Sequence, residues 1–244
     1  MKNVRTIAAG SVALLATAFG MSSAAFAAGE LTPVQVAEVF VPVGFDDNDE
    51  VVVVLDGYLP NSCYKVEGAK VSVDANTKKV EVTQMARRWP GPCLLALVPF
   101  SSTVSVGMLP KGEFTVTSYG AAEEKLAVGE ATSAGPDDFL YAPVDHASIA
   151  PTAASGQVSA VLEGRFTNSC MAIEEVRVID SGKTLEVLPI MKVEDRSDCR
   201  SNVEIPFRKY VELPAGLGDG RHLLHVRSLN GRSVNTMFTV PQDQ

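Results

Sequence analysis

Two stretches of this 244-residue chain repeat one another at an offset of about 107 residues, and each carries two of the four cysteines. Leu55-Asp56-Gly57 answers Leu162-Glu163-Gly164, and Asn61-Ser62-Cys63 answers Asn168-Ser169-Cys170. Further on, Pro99-Phe100 answers Pro206-Phe207, and Val104-Ser105-Val106 answers Val211-Glu212-Leu213. Cys93 answers Cys199 with one residue deleted, and Gly112 answers Gly220 with one inserted. An offset kept over about 45 residues points to a duplicated module. If each copy folds alone, each holds its own bridge, Cys63–Cys93 and Cys170–Cys199. These enclose 29 and 28 intervening residues. Loop closure of that size contributes about 3–4 kcal/mol per bridge, a large share of a small domain's stability. The alternative use of the sulfurs, zinc, lacks both a Cys-x-x-Cys pair and a nearby histidine, so no metal is expected.

Strand patterns fill both copies. In the first, Glu50–Tyr58, Lys70–Asp74, Lys79–Thr83, Thr103–Val106 and Phe114–Thr117 are Val-rich or alternate apolar with polar. In the second, Val158–Phe166, Glu175–Ile179, Thr184–Leu188, Val203–Pro206, Leu223–Arg227 and Thr236–Val240 take the same slots. Asp180-Ser181-Gly182 and Asn230-Gly231 have hairpin-turn chemistry, Asn-Gly suiting a type I′ turn. Gln35–Phe45 and Ala142–Ala150 are expected as the first strand of each copy. A short helical turn is expected after Asn61-Ser62 and Asn168-Ser169, whose side chains cap helices. The fold class that follows is all-β, two tandem antiparallel β-sandwiches over residues 30–132 and 139–244, each with one intradomain disulfide. Ser133-Ala134-Gly135-Pro136-Asp137-Asp138 forms the linker.

The string Gly-x-x-x-Asn-Ser-Cys, a second Cys ahead of Pro-Phe, then a Gly and a last hairpin resembles an immunoglobulin-like β-sandwich module of secreted bacterial proteins of uncharacterised role. Gly57, Asn61, Ser62, Cys63, Cys93, Pro99 and Phe100 carry the resemblance in the first copy. Gly164, Asn168, Ser169, Cys170, Cys199, Pro206 and Phe207 carry it in the second. It spans nearly all of the chain after residue 27 and implies a fold more than an activity. The chain departs from antibody-type domains, with no Trp between the cysteines of copy two and with Trp89 in a Pro/Gly loop. The bridges are therefore not expected to span two sheets in the antibody manner.

Residues 1–27 have the pattern of a secretory signal peptide. Lys2 and Arg5 form the positive start, Ile7–Phe19 the apolar core, and Ala25-Phe26-Ala27 the small-residue cleavage site. The apolar core is shorter than the roughly 20 residues of a membrane span, and no later run is long enough. A periplasmic or secreted protein is expected, a setting in which an even cysteine count means disulfides. The formal net charge is −8. That argues against nucleic acid, whose phosphates need clustered Lys and Arg.

Catalytic groupings are weak. His146, His222 and His225 have no acid or nucleophile at a recognisable spacing, and His222 and His225, three apart on a strand, point to opposite faces. No nucleophile elbow, His-Glu-x-x-His or phosphate loop occurs, so no catalytic residue and no cofactor is assigned. The run Asp46-Asp47-Asn48-Asp49-Glu50 has calcium-like ligand chemistry but lacks the Gly and distant Glu of an EF-hand, and a solvated loop is expected there. The copies diverge most before the second cysteine. Copy one has Met85-Ala86-Arg87-Arg88-Trp89-Pro90-Gly91-Pro92, and copy two Val193-Glu194-Asp195-Arg196-Ser197-Asp198. Trp and Arg anchor many interfaces, and a stiff loop loses little entropy on docking. Arg87, Arg88 and Trp89 are therefore the candidate partner-binding residues, with a cap on the core as the alternative role for Trp89. The function expected is a non-enzymatic binding or cell-envelope interaction protein, its partner a protein or glycan of the envelope. Alternatives are an inhibitor or assembly factor of an exported enzyme acting through the Trp89 loop, and a cryptic hydrolase that gathers a histidine with carboxylates in a cleft.

Overall fold

Each alternating run of the sequence becomes a strand, because one face of it is apolar and the other polar. A computed structural model describes residues 29–150 and 158–240; the expected leader over 1–27 lies outside the described residues, as do residues 151–157 and 241–244. The first half contains β1 (Glu30–Pro33), β2 (Glu38–Phe40), β3 (Phe45–Asp46), β4 (Val51–Leu59), β5 (Tyr64–Asp74), β6 (Lys79–Arg88), β7 (Val98–Gly107), β8 (Gly112–Ser118) and β9 (Glu124–Gly129). The second contains β10 (Val144–Ile149), β11 (Ser159–Asn168), β12 (Met171–Asp180), β13 (Thr184–Val193), β14 (Ser201–Glu212), β15 (Gly220–Ser228) and β16 (Arg232–Val240).

Each half is two sheets around its own core. In the first, β2-β4-β7 packs against a sheet in which β6 is flanked by β5 on one edge and by β1 and β8 on the other, continuing through β9 to β3. Val53 and Leu55 of β4 meet Val80, Val82, Phe114, Val116 and Leu126 between the sheets. In the second half β10-β11-β14 packs against β12-β13-β15-β16. There Ala160 and Leu162 of β11 meet Leu185, Val187, Leu224 and Val226. This is a two-domain all-β fold with one bridge in each domain, Cys63–Cys93 and Cys170–Cys199, with Cα separations of 5.4 and 5.5 Å.

Three local expectations are corrected. The sheets are mixed, not purely antiparallel: β6 runs parallel to β8, β13 to β15, and β3 to β9. After β6 the chain crosses to the other sheet as β7 and returns as β8, and the same excursion through β14 separates β13 from β15. Two such crossings bring the strand back in its original direction. Gln35–Phe45 is not one strand. It bends at Gly44, with φ 79°, and switches sheets from β2 to β3. No helix forms among the described residues. Asn61 and Asn168 instead close Asx turns, each accepting the N–H of the cysteine two residues on, at 3.0 and 2.8 Å.

The Leu-acid-Gly element has a packing reason. Gly57 pairs with Phe100 across β4 and β7, and a Cβ there would stand 3.0 Å from the phenyl ring. Gly164 pairs with Phe207 in the same way, and a Cβ there would also strike the Pro143 carbonyl. The glycine lets the ring lie over the strand.

The two domains are docked through a part-polar joint. Phe40 and Val54 of the first pack on Leu223 of the second, with Met237 beside them. Arg221 reaches Asp56 with two hydrogen bonds, at 2.6 and 3.2 Å. Arg227, buried, donates to the buried Asp49 at 2.7 Å and lies over the rings of Phe45 and Tyr141. The acidic run is therefore not a wholly solvated loop. Asp46 and Asp49 are buried, Asp47 accepts the N–H of Ala131, and the Asn48 side chain donates to the Ser133 carbonyl. Asp137 of the linker accepts the N–H groups of Asn230 and Gly231 at 2.7 and 2.8 Å, tying the linker to the last hairpin turn. Both turn residues have positive φ, as a type I′ turn requires.

Candidate functional site

Residues 89–97 follow β6 and are pinned at both ends. Cys93, in the loop from β6 to β7, is bridged to Cys63, in the loop from β4 to β5, so the bridge ties together two inter-strand loops and not two strands across the core. The Trp89 N–H donates to the Cys63 carbonyl at 2.9 Å. Ser62 clamps Leu94 on both sides: its N–H donates to the Leu94 carbonyl at 3.2 Å, and its Oγ accepts the Leu94 N–H at 2.9 Å. Pro90 and Pro92 remove two rotational freedoms and two donors.

On this frame the apolar side chains face outward. Leu94 is 74% exposed, Leu95 94%, Leu97 68% and Trp89 47%. Ordinary burial of three leucines is prevented because the bridge, the prolines and the Ser62 clamp hold the segment off the sheet. The Trp89 ring leans over Gly29, where a Cβ would stand 3.0 Å from it, and is otherwise open to solvent.

The three residues singled out by sequence are adjacent but not equivalent. Arg87 is committed: its guanidinium bonds Glu67 at 2.6 and 2.7 Å and the Gly29 carbonyl at 2.8 Å. That guanidinium holds the Glu67 carboxyl below its usual range. Arg88 and Trp89 are exposed. Leu94, Leu95 and Leu97 were missed by sequence reasoning, which takes leucines for core. The available signal was a run of non-alternating apolar residues between Pro92 and Pro99.

The second domain has the same frame and different side chains. The Glu194 N–H donates to the Cys170 carbonyl at 2.8 Å, the Ser169 N–H to the Arg200 carbonyl at 3.0 Å, and the Arg200 N–H to Ser169 Oγ at 2.8 Å. These are the counterparts of the Trp89, Ser62 and Leu94 bonds. What this loop exposes is charge: Arg196 is held by Asp198 at 3.0 Å and by Glu194 at 3.4 Å.

The histidines are spread among different environments. His222 is buried, its Nε2 2.6 Å from the Gly218 carbonyl and its ring stacked on Phe238. His225 is fully buried, with Nδ1 2.7 Å from Asn235 Oδ1, and desolvation lowers its pKa to about 4. Beside it on β13, Glu186 accepts the Val43 N–H across the joint, and burial raises its pKa to about 7. His146 lines an open groove of about 450 Å³ with Asp145, Glu163, Arg165, Phe207 and Arg208. Its two carboxylates face arginines, Glu163 at 2.9 Å from Arg208 and Asp145 at 3.9 Å from Arg165, and the lining includes no Ser, Thr or Cys. Among the described residues no group of three or more His, Cys, Asp or Glu side chains is arranged to hold a metal ion, and no helix is long and apolar enough to cross a membrane.

Residues 53–127, which run from β4 to β9 and include the pinned loop, match the ORF11 β-sandwich domain. The chain is 36% identical over 75 residues to an "Uncharacterized 10.2 kDa protein in HgiCIIM 5'region" of Herpetosiphon aurantiacus, a match covering 30% of this chain and 79% of that protein. The "Uncharacterized 10.2 kDa protein in HgiBIM 5'region" of the same organism is 36% identical over 75 residues, 30% of this chain and 90% of its own length. No solved structure matches. With the curated relatives covered over most of their length and the β-sandwich domain matched within the first half, this chain belongs to the ORF11 β-sandwich domain family.

Proposed function

We propose that this chain is an exported, non-enzymatic binding protein of the cell envelope, periplasmic or secreted, in which a duplicated β-sandwich module presents residues 89–97 to a partner. The observation that carries it is the outward display of Trp89, Leu94, Leu95 and Leu97 on a frame fixed by a bridge and three hydrogen bonds. Exposed apolar clusters are costly in water and mark contact sites. A frame already ordered loses little entropy on docking. Export is supported by the leader pattern and by two bridges, which persist in oxidising compartments. The duplication is supported by the matching frames around Cys63 and Cys170. A binding role in place of catalysis is supported by the burial of His222 and His225 and by the arginine pairing of the carboxylates beside His146.

Site-specific photocrosslinking in intact cells tests this. A benzophenone amino acid at position 95 is expected to trap an envelope component, and the same probe at position 198 is expected to trap none. Equal yields at the two positions, or recovery of the chain in the cytosol with four free thiols, would overturn the proposal.

A further inference from the structure

The partner of the 89–97 loop can be named by chemistry, resting on the binding function proposed above. We infer that the loop seats in the interfacial layer of a phospholipid bilayer, with Leu94, Leu95 and Leu97 entering the acyl boundary and Trp89 lying at headgroup depth.

A bilayer makes a demand that a protein partner does not. Polar groups carried into it must already be satisfied, because the hydrocarbon offers no donors or acceptors. The tip meets that demand around Trp89 and Leu94, while the backbone of Leu95 and Ala96, not bonded within the protein, stays at the hydrated headgroup level and only the side chains reach inward. Pro90 and Pro92 have no N–H. The Trp89 N–H, the Leu94 N–H and the Leu94 carbonyl are all bonded within the frame. From Trp89 to Leu97 the only side-chain hydrogen-bonding group is the Trp89 indole N–H. Indole is the side chain best suited to the membrane–water interface, apolar in body with one polar atom. A protein-recognition loop of this size would be expected to offer polar side chains for orientation, and this one offers almost none.

Charge agrees with geometry. No acidic residue occurs between Glu81 and Glu113, in a chain whose net charge is −8. At the base of the loop Lys65, Arg87 and Arg88 stand against Glu67, which is paired with Arg87, and Glu30, which lies opposite Arg88 on β1. This end of the molecule is thus apolar at its tip with a slight excess of cations behind it. Such an arrangement favours a surface carrying some anionic lipid. The second domain's loop, with Glu194, Asp195 and Asp198 against Arg196 and Arg200, has a slight excess of acid and no apolar tip, and gains nothing at the same surface.

The chain holds one tryptophan, so its emission reports this loop alone. The disulfide-bonded protein starting at Ala28 is mixed with phosphatidylcholine vesicles, with and without phosphatidylglycerol. The expected result is co-sedimentation, a blue shift of Trp89 emission, and quenching by acyl chains brominated near the headgroup. Binding should be stronger with phosphatidylglycerol. Leu95→Glu should weaken it by about tenfold or more, since it replaces a buried leucine with a charge. Leu97→Asp should do the same, and because both sites are exposed, unchanged thermal unfolding midpoints certify that both variants fold. Failure of the wild type to bind either vesicle, or binding that both substitutions leave unchanged, would overturn the inference. If vesicles are not bound while the position-95 probe traps an envelope protein in cells, the lipid assignment falls and the binding function stands. If neither occurs, both fall.

Discussion

The loops after β6 and after β13 are the same device carrying opposite chemistry. Both begin with an N–H given to the carbonyl of the domain's first cysteine, are bridged to that cysteine, and end on a residue clamped twice by the preceding serine. On the first the clamped residue is Leu94 and its neighbour Leu95; on the second they are Arg200 and Ser201. Since the backbone scaffolding is alike and carries charged residues in the second domain, the frame does not itself require the three leucines and the tryptophan that the first loop exposes. The charged version, with Arg196 held between Glu194 and Asp198, shows that the same frame can display charge in place of apolar side chains.

The comparison predicts equal dependence on the frame. Replacing both cysteines of either bridge by serine should cost about 3–4 kcal/mol in urea unfolding, because the two sequence separations are 30 and 29. A loss confined to one domain would break the equivalence.

The joint that fixes the two loops on one body gives the next effect. Glu186 has a folded-state pKa of about 7 against an ordinary 4.5, so between these values the folded protein binds the extra proton and stability falls as pH rises. His225, at about 4 against 6.5, binds fewer protons when folded, so its contribution rises with pH over 4 to 6.5. The two slopes oppose one another across mildly acid pH. Glu186→Gln keeps an acceptor for the Val43 N–H and should stabilise the protein at pH 8 by on the order of 2–3 kcal/mol. At pH 4.5 the gain should have largely gone, and from pH 4 to 6.5 the variant's stability should rise more steeply than the wild type's, because the opposing slope of Glu186 has been removed. Thermal scans across pH check this.

Next, Gly164→Ala should cost more than Gly57→Ala, about 3 against about 1–2 kcal/mol, because the Cβ would collide with the Pro143 carbonyl at Gly164 but stand 3.2 Å from the Gln35 carbonyl at Gly57. The smallest effect is at the clamps. Ser62→Ala and Ser169→Ala should each cost about 1 kcal/mol and should loosen Leu94 and Arg200 alike in amide exchange.

The sequence carried those parts of the frame that are local. The glycine opposite Phe100 and the Asn230-Gly231 turn each act within one strand pair or one turn, whereas Asn61 and Asn168, expected to cap helices, close Asx turns, and Ser62 and Ser169 hold residues 32 and 31 positions on. It did not carry the joint, since Asp49 and Arg227 are 178 positions apart and an acidic run looks solvated until its partner is placed. The parallel pairings were hidden for a related reason: alternation gives a strand's faces but not its direction relative to a neighbour. The loop was half legible. Trp89 between arginines and prolines signals recognition, but Leu94, Leu95 and Leu97 signal burial, and only the frame of bridge, prolines and Ser62 clamp turns them outward.

Time-resolved anisotropy of Trp89 tests the central claim, a rigid apolar loop held in water. The single indole should depolarise with the tumbling of the whole molecule, on the nanosecond scale, and reducing the Cys63–Cys93 bridge should add a fast component. A large subnanosecond component in the oxidised protein would contradict the account, because a loop already loose in solution has no fixed face to present.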